Sequence, residues 1–339
     1  MTAPDPSLTD SAAAPALAPA VLTEAPVLAH LVRGGFIESV HRASVVVTAS
    51  DGSVERVWGE ASSPMFPRSS NKPMQALAMV RHGLDLRDEL LALVCSSHNG
   101  EDFHRAGVRE ILASVGLSEA DLQNTPTLPL YEPEQQRWIR EGLAPASIAQ
   151  NCSGKHAGML ATCVAAGWDT TTYRELDHPL QQAIAVAVEE LAGERVTATA
   201  VDGCGAPVMA ISLAGLARSF GRLAAAPHAE PGTPLARIAT AIRNAPDYLG
   251  GTTREVTALV RETPGLVAKD GAESVVAVGL ADGRGVAVKV ADGGGRARMV
   301  ILAGALRAIG VESSALAQLE HSPVLGHGEP VGALVATGF

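Results

Sequence analysis

The chain has 339 residues, 47% of them hydrophobic and 18% charged, with a formal net charge of -10. It is long enough to bury a substantial core, and an acidic surface without basic runs interleaved with aromatics argues against a nucleic-acid partner. No apolar stretch reaches membrane-spanning length before a charge or glycine breaks it, so no membrane partner is expected.

Residues 1–26 are rich in Ala and Pro, with neither a basic start nor a continuous apolar core. They read as a disordered tail and not as a secretory signal, leaving 27–339 as one domain. Residues 44–49 form a β-branched run, Asp51-Gly52 is a turn signal and 54–58 alternate, which predicts an antiparallel hairpin. Helices are predicted to begin near Ser70, Phe103, Ser153, Pro179, Pro207, Pro234 and Thr253, where proline or a capping residue suits free first-turn amides. A second hairpin follows over 274–280 and 286–290 around Asp282-Gly283, then a helix over 295–309 with Met299, Ile301, Leu302 and Leu306 for the core. Strands at both ends and helices between them predict an α+β fold, an antiparallel sheet from both termini with packed helices and a helical region inserted. Four cysteines without an export signal point to reduced thiols and a cytoplasmic location.

Lysine is scarce. Against 22 arginines the chain has only Lys72, Lys155, Lys269 and Lys289. Arginine keeps its proton in a protein, whereas a desolvated lysine can lose it and act as a base or a neutral ligand. Ser69 and Lys72 lie one helical turn apart, close enough for an amine to take a hydroxyl proton. Ser97 and Asn99 follow an apolar run over 90–95, and Lys269-Asp270-Gly271 comes later, before a strand. Each segment alone fits a cap or a turn. The order Ser-x-x-Lys, Ser-x-Asn, Lys-x-Gly is the three-part signature of the serine β-lactamase and penicillin-binding fold, whose chemistry is acyl transfer through a serine ester.

A second cluster combines Cys152-Ser153-Gly154-Lys155 at a helix start with Cys204 in a glycine-lined turn. Two thiolates with an imidazole or a neutral amine would make a tetrahedral zinc site with an open position. Two buried, unligated thiols account for the same residues.

Five segments carry a wider likeness: Pro67-Arg68-Ser69-Ser70-Asn71-Lys72-Pro73, Cys95-Ser96-Ser97-His98-Asn99-Gly100-Glu101, Asn151-Cys152-Ser153-Gly154-Lys155-His156-Ala157-Gly158-Met159, Asp202-Gly203-Cys204-Gly205-Ala206-Pro207 and Ala268-Lys269-Asp270-Gly271-Ala272-Glu273. Together they resemble the asparaginase II family, the thermolabile rhizobial-type L-asparaginases, from about residue 27 to the C-terminus. The resemblance implies a serine β-lactamase-like catalytic domain over 27–339, a homodimer, and hydrolysis of L-asparagine to aspartate and ammonia. It implies two serine-lysine tandems, Ser69 with Lys72 and Ser97 with Lys269, and zinc held by Cys152, Lys155 and Cys204 but not needed for bond breaking. His156 and Asp202 would lie near the substrate, and Arg68 could fork its carboxylate or form a surface ion pair. Either serine could carry the ester; Ser69, at the helix start, is the conservative choice. The alternatives are a glutaminase, another serine amidohydrolase of the same fold, or a non-catalytic zinc- or amino-acid-binding protein. One methylene separates glutamine from asparagine, worth only about 1–3 kcal/mol of discrimination.

Overall fold

The computed structural model describes residues 18–339. Among the described residues there are eleven strands: β1 (Val27–Arg33), β2 (Phe36–Thr48), β3 (Val54–Trp58), β4 (Pro64–Met65), β5 (Ala198–Val201), β6 (Pro207–Ser212), β7 (Val267–Gly271), β8 (Val275–Gly279), β9 (Gly285–Val290), β10 (His321–Gly326) and β11 (Glu329–Ala336). The helices are α1 (Ala20–Thr23), α2 (Lys72–Arg81), α3 (Asp88–Val94), α4 (Asp102–Ser114), α5 (Glu132–Arg140), α6 (Ser153–Ala166) and α7 (Pro179–Ala192), followed by α8 (Leu213–Ala229), α9 (Pro234–Asn244), α10 (Pro246–Leu249), α11 (Glu255–Glu262), α12 (Arg298–Ala308) and α13 (Ser314–Leu319).

The main sheet is antiparallel and runs β10-β11-β1-β2-β9-β8-β7. Strand β2 is shared: its first half pairs with β1, and its second half lies between β9 and β3. Both ends of the chain therefore build one sheet, with the helices inserted between, which is the α+β architecture expected. All residues of β7, β8 and β9 are buried, so both faces of this part of the sheet are covered; α8 and α12 pack on it. The smaller sheet, β4-β6-β5, stands beside it.

Both predicted hairpins are present, as β2–β3 and β8–β9, with Gly52 and Gly283 at φ of 84° and 91° in their turns. The helix expected near Pro207 is instead β6; Pro207 is the first residue of this strand, and α8 begins at Leu213 behind a Ser212 cap. The expected tail to residue 26 also needs correction. Residues 1–17 lie outside the described residues, but α1 is folded, with Val21 fully buried and its carbonyl accepting from Ser44 Oγ at 2.7 Å. Two apolar side chains, Val21 and Leu22, give this short segment a core contact that an Ala/Pro composition hides.

Helix α8 comes closest to the sheet at glycines. A Cβ on Gly279 would overlap the Phe220 carbonyl, and one on Gly285 the Ala217 carbonyl. Gly279→Ala and Gly285→Ala are therefore expected to push α8 off the sheet and destabilise the fold by about 1–3 kcal/mol each, as overpacking does. Thermal or urea unfolding measures this; stability equal to wild type would show that α8 has slack here.

Candidate active site

Helix α6 sets the position of the site. Gly154 and Gly158 face Leu93 and Val94, where a Cβ would overlap the Leu93 carbonyl or come within 2.7 Å of Val94 Cγ2. This contact brings the start of α6, with Cys152 at its N-cap, against the end of α3, from which Cys95, Ser96 and Ser97 continue. The 97–99 segment is then pinned on two sides: Ser97 N donates to Leu249 O at 3.1 Å, His98 N to Asn151 O at 3.2 Å and Asn99 N to Gly250 O at 2.8 Å. Strand β7 arrives from the third side. Gly271 lets it approach the helical turn Arg68–Asn71, since a Cβ there would lie 2.7 Å from Pro67 O.

Ser97 sits between two lysines. Its Oγ is 3.3 Å from Lys72 Nζ and 3.0 Å from Lys269 Nζ. Lys72 Nζ also donates to Ser96 O and, at 3.3 Å, to Cys152 Sγ. Lys269 Nζ donates to Asp270 O at 2.6 Å and to Asp270 Oδ1 at 3.0 Å. Burial pushes the Lys269 pKa down to about 8, and Lys72 and Arg254 add to this against the pull of Asp270. A neutral Lys269 would spend its two N–H groups on Asp270 and turn its lone pair toward Ser97. Asp270 is clamped by Lys269, Arg254 and Arg298, which outweigh its burial and hold its carboxyl well below the usual range.

Ser69 occupies the helical turn ahead of α2; its carbonyl accepts from Lys72 N, but among the described residues no hydrogen bond joins its hydroxyl to Lys72 Nζ. Lys72 instead turns inward, where a carbonyl, a hydroxyl and a thiol await its three donors. Ser69 opens to solvent between two adjoining cavities. The first, about 480 Å³, is lined by Arg68, Ser69, Asn151, Cys152, Asp202 and Cys204 among others. The second, about 330 Å³, is lined by Ser69, Ser97, Asn151, Arg254, Asp270 and Arg298. Arg68 has a left-handed backbone, φ 51°, unusual for a residue with a Cβ. Its guanidinium meets Asp202 Oδ1 through Nε at 2.9 Å and Nη2 at 2.8 Å.

Cys152 and Cys204 meet, and Lys155 Nζ donates to Cys204 Sγ at 3.1 Å. Contact with Cys204, together with Lys72 and Lys155, carries the Cys152 pKa well below its usual value despite burial. Burial opposes charge on Lys155, but Cys204 and Cys152 outweigh it and raise its pKa. Among the described residues no three His, Cys, Asp or Glu side chains group as metal ligands. A zinc ion would thus need Lys155 beside the two thiols, and the donor set suits a borderline-soft cation once that amine gives up its proton. His156 does not line either cavity: its Nδ1 pairs with the Tyr173 hydroxyl at 2.7 Å, Nε2 is buried without a partner, and burial pushes its pKa down to about 4.

The structure therefore gathers all ten residues singled out in the sequence: Arg68, Ser69, Ser97, Cys152, Asp202 and Cys204 line the two cavities, Lys72, Lys155 and Lys269 are buried against these residues, and His156 is set behind. Arg254 and Arg298, on the wall of the second cavity, carry no sequence signal of their own. Arg254 and Arg298 reach Asp270 across 16 and 28 residues, a separation that leaves no local pattern.

Two histidines support the 97–101 segment. His98 Nδ1 accepts from Gly100 N and its Nε2 meets Ser153 Oγ at 2.8 Å; His104 Nδ1 accepts from Glu101 N and its Nε2 meets Asp247 O at 2.9 Å. Burial holds both pKa values down, that of His104 to about 4. Folded histidines that refuse a proton below 6.5 are favoured above that pH, and their contribution is lost as pH falls toward 4. For His104 the difference between 6.5 and about 4 corresponds to on the order of 3 kcal/mol. Thermal unfolding between pH 7.5 and 4.5 should show the melting temperature falling with proton uptake, and His104→Gln should flatten the slope. An unchanged slope in the variant would remove His104 from this linkage.

A family model described as L-asparaginase II matches residues 29–336. No curated protein matches the chain. Three solved structures are similar at 13–14% identity: Mglu in its native form in 4.3 M NaCl (TM-score 0.44, 80% of this chain and 62% of that one), EstCE1, a hydrolase with promiscuous acyltransferase activity (0.39, 81% and 93%), and a Bacteroides dorei DSM 17855 protein whose description names a β-lactamase (0.40, 78% and 93%). The chain spans less than two thirds of the length of Mglu.

Proposed function

The chain belongs to the L-asparaginase II family and is an asparaginase-type amidohydrolase; from that premise we propose that it hydrolyses L-asparagine to L-aspartate and ammonia through a serine ester. The observation that carries the mechanism is Ser97 Oγ held between Lys72 and Lys269 on the wall of the second cavity. Ser97 attacks the side-chain amide carbon while its proton passes to neutral Lys269, and the same proton goes on to the departing nitrogen, which leaves as ammonia. Water then attacks the β-aspartyl ester, giving a proton to Lys269, which returns it to Ser97 Oγ as aspartate departs. Lys72, donating toward Ser97 Oγ, stabilises negative charge on that oxygen.

A second reading has Ser69 as the nucleophile and Ser97 as its proton relay; the opening of Ser69 to both cavities favours it. Trapping the acyl-enzyme and mapping the modified peptide separates the two, by the residue that carries the added mass. Ser97→Ala, Lys269→Ala and Lys72→Ala are each expected to lower ammonia release by at least ~10³-fold while keeping the fold, with little further loss in combination. The rate should rise with pH through about 8, as Lys269 loses its proton, and Lys269→Arg should be inactive. Near-normal turnover in any of these variants would overturn the assignment. Parallel assays on glutamine measure side activity.

Zinc at Cys152, Lys155 and Cys204 is part of the proposal. When bound it would supply a fixed positive charge for orienting substrate. Cys152 and Cys204 themselves line the first cavity, and Lys155, behind them, must release its proton as metal enters. Metal analysis should find about one equivalent per chain, binding should tighten as pH rises, and Cys204→Ser should weaken it and raise KM more than it lowers kcat. Protein that cannot be loaded would leave Cys152 and Cys204 as buried thiols.

Homodimer formation and a cytoplasmic location complete the reading. Exposed Phe36 and Val40 on the first half of β2, Leu325 on β10 and Val331 on β11 support the first, and four free, buried cysteines the second. No helix among the described residues is long and apolar enough to cross a membrane.

A further inference from the structure

Arg68, the arginine that the sequence offers for a substrate carboxylate, is already engaged: two of its nitrogens face Asp202. The cavity holding both serines contains two others, Arg254 and Arg298. Both meet Asp270 Oδ2, while Asp270 Oδ1 meets Lys269. Among the described residues Asp270 is the only acid on that cavity's wall, and its single charge faces three cationic side chains. Even with Lys269 neutral, one positive charge is left over.

The two arginines differ in what remains free. Arg298 donates from Nη1 to Gly271 O at 3.1 Å and from Nη2 to Asp270, and its Nε is buried. Arg254 donates to Asp270 from Nη2, and none of its other nitrogens has a hydrogen-bond partner among the described residues; a fifth of its side chain stays exposed. A guanidinium anchored on one side, with donors open to a cavity that has surplus positive charge, is suited to receive a carboxylate.

We propose that Arg254, anchored by Asp270 and backed by Arg298, binds the α-carboxylate of the substrate in the second cavity and selects for amides that carry an anionic group. This rests on the asparaginase reading and extends it. The substrate then lies with its side-chain amide at the serines and its carboxylate at Arg254. Arg68 and Asp202 form the wall of the neighbouring cavity.

The test compares L-asparagine with its α-carboxamide, in which the carboxylate is neutral. Arg254→Gln should lower kcat/KM for asparagine by about 30-fold or more, chiefly through KM, and change it for the α-carboxamide by less than about threefold, because only the charged substrate loses a partner. Arg254→Lys should recover part of the loss. A role confined to steadying Asp270 and Lys269 would reduce both substrates equally and lower kcat; that result overturns the proposal. If wild-type protein releases ammonia from neither compound, the asparaginase reading fails separately, and calorimetric titration with succinate judges the subsite. Saturable binding by wild type that Arg254→Gln loses sustains it, whereas equal binding by both proteins, or none by either, overturns it.

Discussion

Three lysines with almost no exposure, Lys72, Lys155 and Lys269, converge on one small region of the protein, and the rest of the site is arranged around their charges. Isolated, such buried ammonium groups would be costly, so each has a different answer. Lys155 has the thiols of Cys204 and Cys152. Lys72 has a carbonyl, a hydroxyl and a thiol. Lys269 has Asp270, but Asp270 is also shared with two arginines, and its pull on the proton is not enough to offset burial. The consequence is a division of labour between chemically identical side chains: one lysine retains its proton beside sulfur, while another loosens it beside a serine.

This arrangement depends on close backbone approach. The paired glycines of α6 allow it to press on α3, and Gly271 allows β7 to press on the turn that carries Arg68 and Ser69. The lysines reach each other because three elements distant in sequence pack without side chains between them. Arg68 shows the cost of that fit, since its left-handed backbone is held in place by a two-nitrogen contact with Asp202.

Much of this is legible in the sequence, for physical reasons that differ by element. The two inner hairpins are marked by Asp-Gly turns between β-branched runs. The outer strands β1, β10 and β11 carry weaker signals, since β10 contains Pro323 and is largely exposed and β11 is mostly half-buried or exposed. Pro207 is ambiguous by itself, fitting the first residue of a helix as well as that of a strand; its pairing with Val201 decides the matter. In the site, motif spacing finds the serines, lysines and cysteines, but helical spacing suggests a Ser69–Lys72 contact where the chain instead joins Lys72 to Ser97, 25 residues away. Ion pairs such as Arg254 with Asp270 follow from tertiary packing alone.

The sheet has one further consequence, for how the molecule is made. Strand β1 pairs with β11, Ala29 opposite Ala336, so β1 finds one of its neighbours only after the long stretch of chain between Ala29 and Ala336 has been synthesised. Until then β1 has β2 on one side and an open edge of unpaired amides on the other. The helices between can consolidate from local contacts, but closure of the sheet carries a large loop entropy and comes late. A ribosome stalled within α13 would leave a nascent chain with most of the site residues already emerged and an adhesive strand edge exposed, which makes the β10–β11 hairpin a protective seal as well as a part of the fold.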